Sequence, residues 1–361
     1  MKPRNIAIAC GVAGAAVGLA AATGIVYHKQ IKSAASLKRL TGYADGYDLY
    51  AIDIAYDYDL DRIIAAGVRD DQTYIDAVVA QVLPGVPAHV QAPQFACSAF
   101  VAVDAEGRVR TGRNYDFKDD TSALLARNHP RDGYASIGFA ALNNLGANTP
   151  LDSVAGRAAA LMGPFAQLDG VNECGVSIAV LTLDSKPCDQ DTQRPVINTS
   201  LAIRLVLDRA ATTQEAVDLL ASYDMHAMAG RDYHFFINDA AGDARTVEWD
   251  PRDPDRAFKA TPVRQVTNFY ACYGDEVLPN QKNGELGHGK ERAVAIADVL
   301  DAHAGAQDEA VAWKALRAAA QEPNPEDITS NTQWSVVFDN TEPAAAITLR
   351  RHWGDVDAFA L

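Results

Sequence analysis

The chain has 361 residues, 48% of them hydrophobic and 22% charged, enough apolar content for one large core or two modest ones. A net charge of −15, with no Lys/Arg cluster in the soluble part, repels phosphate backbones and argues against nucleic acid as a partner. Five cysteines (Cys10, Cys97, Cys174, Cys188 and Cys272) are too few and too widely spaced for a disulfide scaffold. With no CxxC pair and no HExxH or HxxxH arrangement, no metal and no cofactor is called for.

The chain opens on Lys2 and Arg4, followed by an uncharged stretch from Ile6 to Tyr27 and then Lys29, Lys32, Lys38 and Arg39. The length fits a membrane anchor or a long signal peptide, so residues 1–30 are expected to place the protein in the cell envelope or outside the cell. Basic residues on both flanks leave the orientation open. Residues 31–96 form a lead-in, with the acidic-aromatic stretch Tyr47–Ile64 and a helical pattern over Thr73–Leu83. Pro84, Pro87 and Pro93 then predict a loop reaching Cys97.

From Cys97 the texture is mixed. Cys97–Asp104, a turn at Ala105–Arg108 and Val109–Phe117 read as a β-hairpin. Tyr134–Leu142 and the apolar run Val176–Leu183 read as strands. Asn198–Ala210 reads as a helix, and Thr212-x-x-Glu215 as the capping box of the next. His234–Asp250 reads as two strands around a turn, Gly289–Ala304 and Asp308–Ala320 as amphipathic helices, and Thr332–Asn340 with Ala344–Trp353 as a closing hairpin. Strands in groups and helices in pairs predict an α+β architecture of stacked sheets covered by helices.

The chemistry-bearing group is Cys97 with Gly112-Arg113-Asn114-Tyr115-Asp116-Phe117. A tight hairpin returns Arg113 and Asp116 to the end of the strand that Cys97 opens, so one thiol, one cation and one carboxylate share a neighbourhood. On the residues alone two readings stand. Either this is a reactive thiol in a charged pocket, or it is a buried strand cysteine beside a surface ion pair. On the first, replacing Arg113 or Asp116 by alanine removes activity and leaves the fold intact, both lying at strand ends.

Cys97-Ser98-x-Phe100 followed by GRNYDF resembles the start of the mature choloylglycine hydrolase and penicillin V acylase family, linear amide C–N hydrolases of the N-terminal-nucleophile (Ntn) superfamily. Gly170-Val171-Asn172-Glu173-Cys174-Gly175 is similar to its G-[ML]-N-E-x-G turn. Val266-Thr267-Asn268 is similar to its T-N segment, Glu291-Arg292 to its S-R segment, and Thr332-Gln333-Trp334-Ser335 to its late strand. The resemblance runs in order from residue 97 to about 350. It implies a four-layer αββα sandwich over residues 97–361. It also implies a cysteine nucleophile whose own α-amine, freed by autoproteolysis after Ala96, is the general base. Catalytic roles fall by resemblance on Cys97, Arg113, Asp116, Asn268 and Arg292, with Asp116 orienting the amine and Asn268 holding the oxyanion. Asn172 and Thr182 are implied as oxyanion or substrate-binding groups, although at Thr182 the family carries Asn or Tyr.

The implied partner is a small N-acyl amide, with the membrane met through the N-terminal segment and a homo-oligomer left open. Phe100, Phe117, Phe165, Tyr270 and Trp334 are read mostly as core aromatics. Competing readings are an acyltransferase on the same fold, an inactive membrane-anchored binding protein, and an envelope domain bridged through Cys174, Cys188 and Cys272.

Overall fold

The hairpin expected after Cys97 forms. Strand Ala96–Val103 pairs antiparallel with Val109–Asp116, Cys97 opposite Tyr115 and Val103 opposite Val109. Asp104 builds the turn. Its carbonyl accepts from Gly107 N at 3.1 Å, and its Oδ1 accepts from the backbone N–H groups of Glu106 and Arg108, the usual use of a short acidic side chain in a turn. The computed structural model describes residues 27–84, 96–147, 151, 153–280, 286–324, 326 and 331–361.

Two sheets stack face to face. The hairpin lies in a six-stranded sheet, in the order Gln265–Val266, Ala96–Val103, Val109–Asp116, Thr332–Asp339, Ala344–Leu349, Asp357–Ala360. The other sheet has nine strands. It runs Lys38–Arg39, Leu49–Ile54, Ala123–Asn128, Ser136–Ala141, Gln167–Asn172, Ser177–Leu183, Asp232–Asn238, Ala244–Trp249, Phe258–Pro262. Helix Thr199–Arg209 covers the outer face of the nine-stranded sheet. Helices Lys290–Asp301 and Glu309–Ala319 cover the outer face of the other, burying Phe100 and Val337 against Ile296, Leu300 and Leu316. The αββα layering expected of the chain is therefore present.

Local signals explain the helix starts. Asn198 Oδ1 accepts from Leu201 N at 2.9 Å, and Asp308 Oδ1 from Val311 N at 2.9 Å, each satisfying an orphan donor of the first turn. The capping box at Thr212 is half formed. Thr212 Oγ1 accepts from Glu215 N, but the Glu215 carboxylate turns to Ala211 N instead.

The lead-in does not stand apart from this sandwich. Leu49–Ile54 pairs parallel with Ala123–Asn128, and Leu49, Ile52, Tyr74 and Val78 share one core with Phe139, Val171 and Ile203. Of the apolar stretch Ile6–Tyr27 only Tyr27 is among the described residues, and Cys10, Pro87 and Pro93 also lie outside them. Among the described residues no helix is long and apolar enough to cross a membrane.

Candidate active site

Strand alternation decides which side chains meet. Ser177 Oγ lies 2.7 Å from Thr111 Oγ1 of the opposite sheet, so Ser177 and Thr111 both point into the space between the sheets. Two-residue steps along the return strand then put Arg113 and Tyr115 on the same inner face, and the register partner Cys97 with them. Asp116 and Asn114 fall on the outer face, toward the helices.

Cys97 is fully buried, and each of its polar atoms is held by a different residue. Its backbone N donates to Asn268 Oδ1 at 2.9 Å. Its thiol sulfur accepts from Arg113 Nη2 at 3.4 Å. Its carbonyl accepts from Arg292 Nη1 at 2.6 Å. Arg292 ties the group together, since its Nη1 stands 3.3 Å from Asp116 Oδ2 and its Nη2 donates to Asn268 Oδ1 at 2.7 Å. The structure thus brings Cys97, Arg113, Asp116, Asn268 and Arg292 into one cluster.

Burial outweighs the cations at the thiol. Desolvation pushes Cys97 up to about 11, against the opposing pull of Arg113, with Arg292 and the Asp116 backbone N–H also easing the thiolate. At neutral pH the group therefore rests as a thiol, and a nucleophilic role for it would need a base beside it. Desolvation likewise holds the Asp116 carboxyl above the ordinary carboxylate range, against Arg292. That carboxylate accepts from Thr332 Oγ1 at 2.6 Å and Gln321 Nε2 at 2.8 Å. The nitrogen of Cys97 is bonded by Asn268.

Arg113 lies deeper than a strand-end position. It is fully buried, with Nε 2.9 Å from Asp169 Oδ2 and Nη2 donating to Val180 O at 2.9 Å. Trp334 Nε1 donates to the same Asp169 oxygen at 3.1 Å, and its ring stacks on Tyr115 at 4.1 Å. Burial pushes Asp169 up to about 6 despite Arg113. Removing Arg113 would therefore strand a buried carboxylate, so Arg113→Ala is expected to cost stability as well as activity.

Two implied groups take other places. Asn172 lies at the opposite strand end. Its Nδ2 donates to Leu207 O and Ala210 O, and its Oδ1 accepts from Cys174 N and Val176 N. All its capacity goes into holding the turn to the helix, which leaves none for a substrate. Thr182 sits beside the cluster, but through its carbonyl, which accepts from Asn268 Nδ2 at 2.7 Å. Its hydroxyl is one strand step out of phase with Ser177's face and has no hydrogen-bond partner among the described residues.

Asp169 and Gln321 were missed in the sequence. Asp169 directly precedes the Gly170-Val171-Asn172-Glu173 turn, and reading that motif one residue further upstream would have found it. Gln321 carries no comparable signal. It reaches Asp116 only because the helix Glu309–Ala319 ends beside it. The described residues hold no group of side chains suited to a metal ion, and Cys97, Cys174, Cys188 and Cys272 are all free thiols.

A family model described as acyl-coenzyme A:6-aminopenicillanic acid acyl-transferase matches residues 103–352. The match covers more than half of the chain, takes in Arg113, Asp116, Asn268 and Arg292, and begins after Cys97. No curated protein sequence matches. Among solved structures, a mutant of the conjugated bile acid hydrolase from Clostridium perfringens superposes with a TM-score of 0.57 at 15% identity, covering 73% of this chain and 92% of that one. Penicillin V acylase from Agrobacterium tumefaciens superposes with a TM-score of 0.53 at 20% identity, covering 73% and 86%. These likenesses establish the N-terminal-nucleophile hydrolase fold.

Proposed function

This chain belongs to the acyl-coenzyme A:6-aminopenicillanic acid acyl-transferase family, and we propose that it is a cysteine N-terminal-nucleophile enzyme cleaving the C–N bond of a linear N-acyl amide. The observation that carries this reading is that the nitrogen, the sulfur and the carbonyl of Cys97 are each held, by Asn268, Arg113 and Arg292. A nitrogen inside a strand is ordinarily held by a neighbouring backbone carbonyl, whereas that of Cys97 is held by a side chain of the cluster. Here nitrogen and sulfur belong to one residue, and no histidine bonds to Cys97 among the described residues.

The first step is on the chain itself. The Cys97 sulfur adds to the Ala96 carbonyl, the C–N bond breaks as the thiol proton passes to the departing nitrogen, and water hydrolyses the resulting thioester. The freed α-amine, with an unperturbed pKa of roughly 8, then serves as the base that a thiol near 11 requires. In turnover it takes the thiol proton as sulfur attacks the substrate carbonyl. Arg113 stabilises the thiolate, and the second Nδ2 hydrogen of Asn268 is available to the oxyanion. The proton returns to the leaving amine, and water releases the acid from the thioester.

The matching family model is named for acyl transfer, which favours a second outcome for the same thioester, capture by an amine. Product analysis with and without hydroxylamine separates the two. The deciding test of the first reading is N-terminal sequencing after denaturation, which should find a polypeptide beginning at Cys97. A fully active preparation with the Ala96–Cys97 bond intact would exclude the amine as base. The proposed location is the cell envelope or outside the cell, on the strength of the uncharged stretch Ile6–Tyr27 between basic flanks.

A further inference from the structure

The segment Leu286-Gly287-His288-Gly289 precedes the helix that carries Arg292, and no role has yet fallen to it. It pairs with the segment carrying Asn268. Tyr270 N donates to Leu286 O at 2.9 Å, and His288 N donates to Asn268 O at 2.7 Å. Gly287 (φ +107°) lies so close that a Cβ would stand 2.0 Å from Asn268 O. Gly289 (φ +89°) packs under the other partner, and a Cβ there would stand 2.6 Å from Arg292 Nη2 and 2.8 Å from Thr267 Oγ1. Only glycine meets both requirements, the left-handed backbone and the close approach.

Between these glycines the His288 side chain turns to the end of the neighbouring strand, where its Nδ1 donates to Asp184 Oδ2 at 2.7 Å. Asp184 is also held by Arg231 Nη1 at 3.2 Å. It lies two residues past Thr182, whose carbonyl receives Asn268 Nδ2. The bonds close a circuit from Thr182 to Asn268, to His288, to Asp184 and along the chain back to Thr182.

We propose that Gly287-His288-Gly289 is a positioning clamp, in which His288 anchored on Asp184 fixes the Asn268 amide and the Arg292 guanidinium around Cys97. The inference rests on the reading of Cys97 as a self-cleaving nucleophile. His288 touches no reacting atom and acts through Asn268. The Asp184 carboxylate is 46% exposed, and a hydrogen-bonded pair so open to water adds little to global stability. Loosening Asn268 misplaces both the Cys97 nitrogen and the oxyanion donor, and a displacement of about 1 Å can cost on the order of 100-fold in rate. The clamp therefore governs rate far more than folding.

The test uses full-length chains made by cell-free translation, pulse-labelled and chased, with cleavage before Cys97 followed by mass. His288→Ala should slow the cut about tenfold or more. His288→Asn should stay within about threefold of wild type, because an asparagine Nδ2–H can take the place of the histidine Nδ1–H. In a Cys97→Ala background, which keeps the bond whole, both variants should melt within about 3 °C of their parent. A wild type that is cut, with His288→Ala cut equally fast, would overturn the clamp. So would a His288→Asn as slow as His288→Ala. A wild type that is never cut would instead overturn the nucleophile reading, and the clamp with it.

Discussion

Arg113 can be asked to separate folding from chemistry, because it serves both a buried carboxylate and the thiol. Its guanidinium and the Asp169 carboxylate are completely buried at 2.9 Å, and breaking such a pair from one side costs about 3–5 kcal/mol. Domains are stable by about 5–15 kcal/mol, so Arg113→Ala should still fold but unfold at clearly lower urea. Asp169 titrates near 6 with Arg113 present, above its unfolded value of about 3.9. A raised carboxyl favours folding below its unfolded pKa and loses that contribution as pH rises through the folded one. Without Arg113 the folded value climbs further, so the deficit of Arg113→Ala should be larger at pH 8 than at pH 5. Adding Asp169→Asn removes the stranded charge while Trp334 Nε1 keeps an oxygen to bond, and should recover about 2 kcal/mol or more. It should not restore the cut before Cys97, since the thiol still lacks its cation. Urea unfolding followed by tryptophan fluorescence, all in a Cys97→Ala background, gives the stabilities. Denaturing mass spectrometry of the Cys97 versions gives the cut. A single-variant loss under about 1 kcal/mol, or a double variant no better than the single, would refute the pairing argument. Cutting at the wild-type rate in Arg113→Ala would refute the role at the thiol.

Other positions give sharper contrasts. Asn172→Ala should cost about 3 kcal/mol, because four backbone groups lose their partner, yet the cut before Cys97 should proceed once the chain is folded. Urea midpoints and denaturing gels would expose an error in either half. Thr182→Val should be neutral or slightly stabilising, since the hydroxyl is buried without a partner. Turnover more than about tenfold below wild type would return that hydroxyl to the oxyanion. The Cys97 thiol titrates near 11 folded and near 8.5 unfolded, so about 3 kcal/mol of stability present below pH ~8.5 is lost as pH rises toward 11. In uncut chains Arg113→Ala/Asp169→Asn should retain that loss and a further Cys97→Ala should remove it, as measured by urea midpoints between pH 8 and 10.5. Parallel curves for the two would contradict the burial argument.

How much of this could be read from the sequence depended on the range of the signal. The hairpin from Cys97 and the helices that start at Asn198, Gly289 and Asp308 are local patterns, and each forms where its residues predict. The cluster of Cys97, Arg113, Asp116, Asn268 and Arg292 was legible as motifs in order, although 171 residues separate Cys97 from Asn268. Composition alone would not have joined them. What escaped was whatever depends on the face a side chain takes in a sheet. Thr182 was placed by motif near the oxyanion, and it is near, but strand alternation presents its carbonyl and not its hydroxyl. Asn172 belongs to a matched turn, yet its bonds run to the covering helix at the far strand end.

The lead-in shows the same limit at larger scale, and its packing bears on mechanism. An acidic-aromatic stretch with no clear period gives little sign that Leu49–Ile54 will pair with a strand about 70 residues later. Non-local parallel pairing leaves no local signature. Once paired, that strand and the helix Asp71–Val82 contribute Leu49, Ile52, Tyr74 and Val78 to the same core as the rest of the sandwich. Cutting the Ala96–Cys97 bond removes one covalent link and none of that buried surface. The two pieces should therefore part only when the core itself unfolds. Ala96 lies in register opposite Asp116, so on the proposed mechanism the scissile bond and the sulfur that attacks it sit on one strand of the six-stranded sheet. On that mechanism release of the amine would need no refolding, because Asn268 Oδ1 already accepts from the nitrogen.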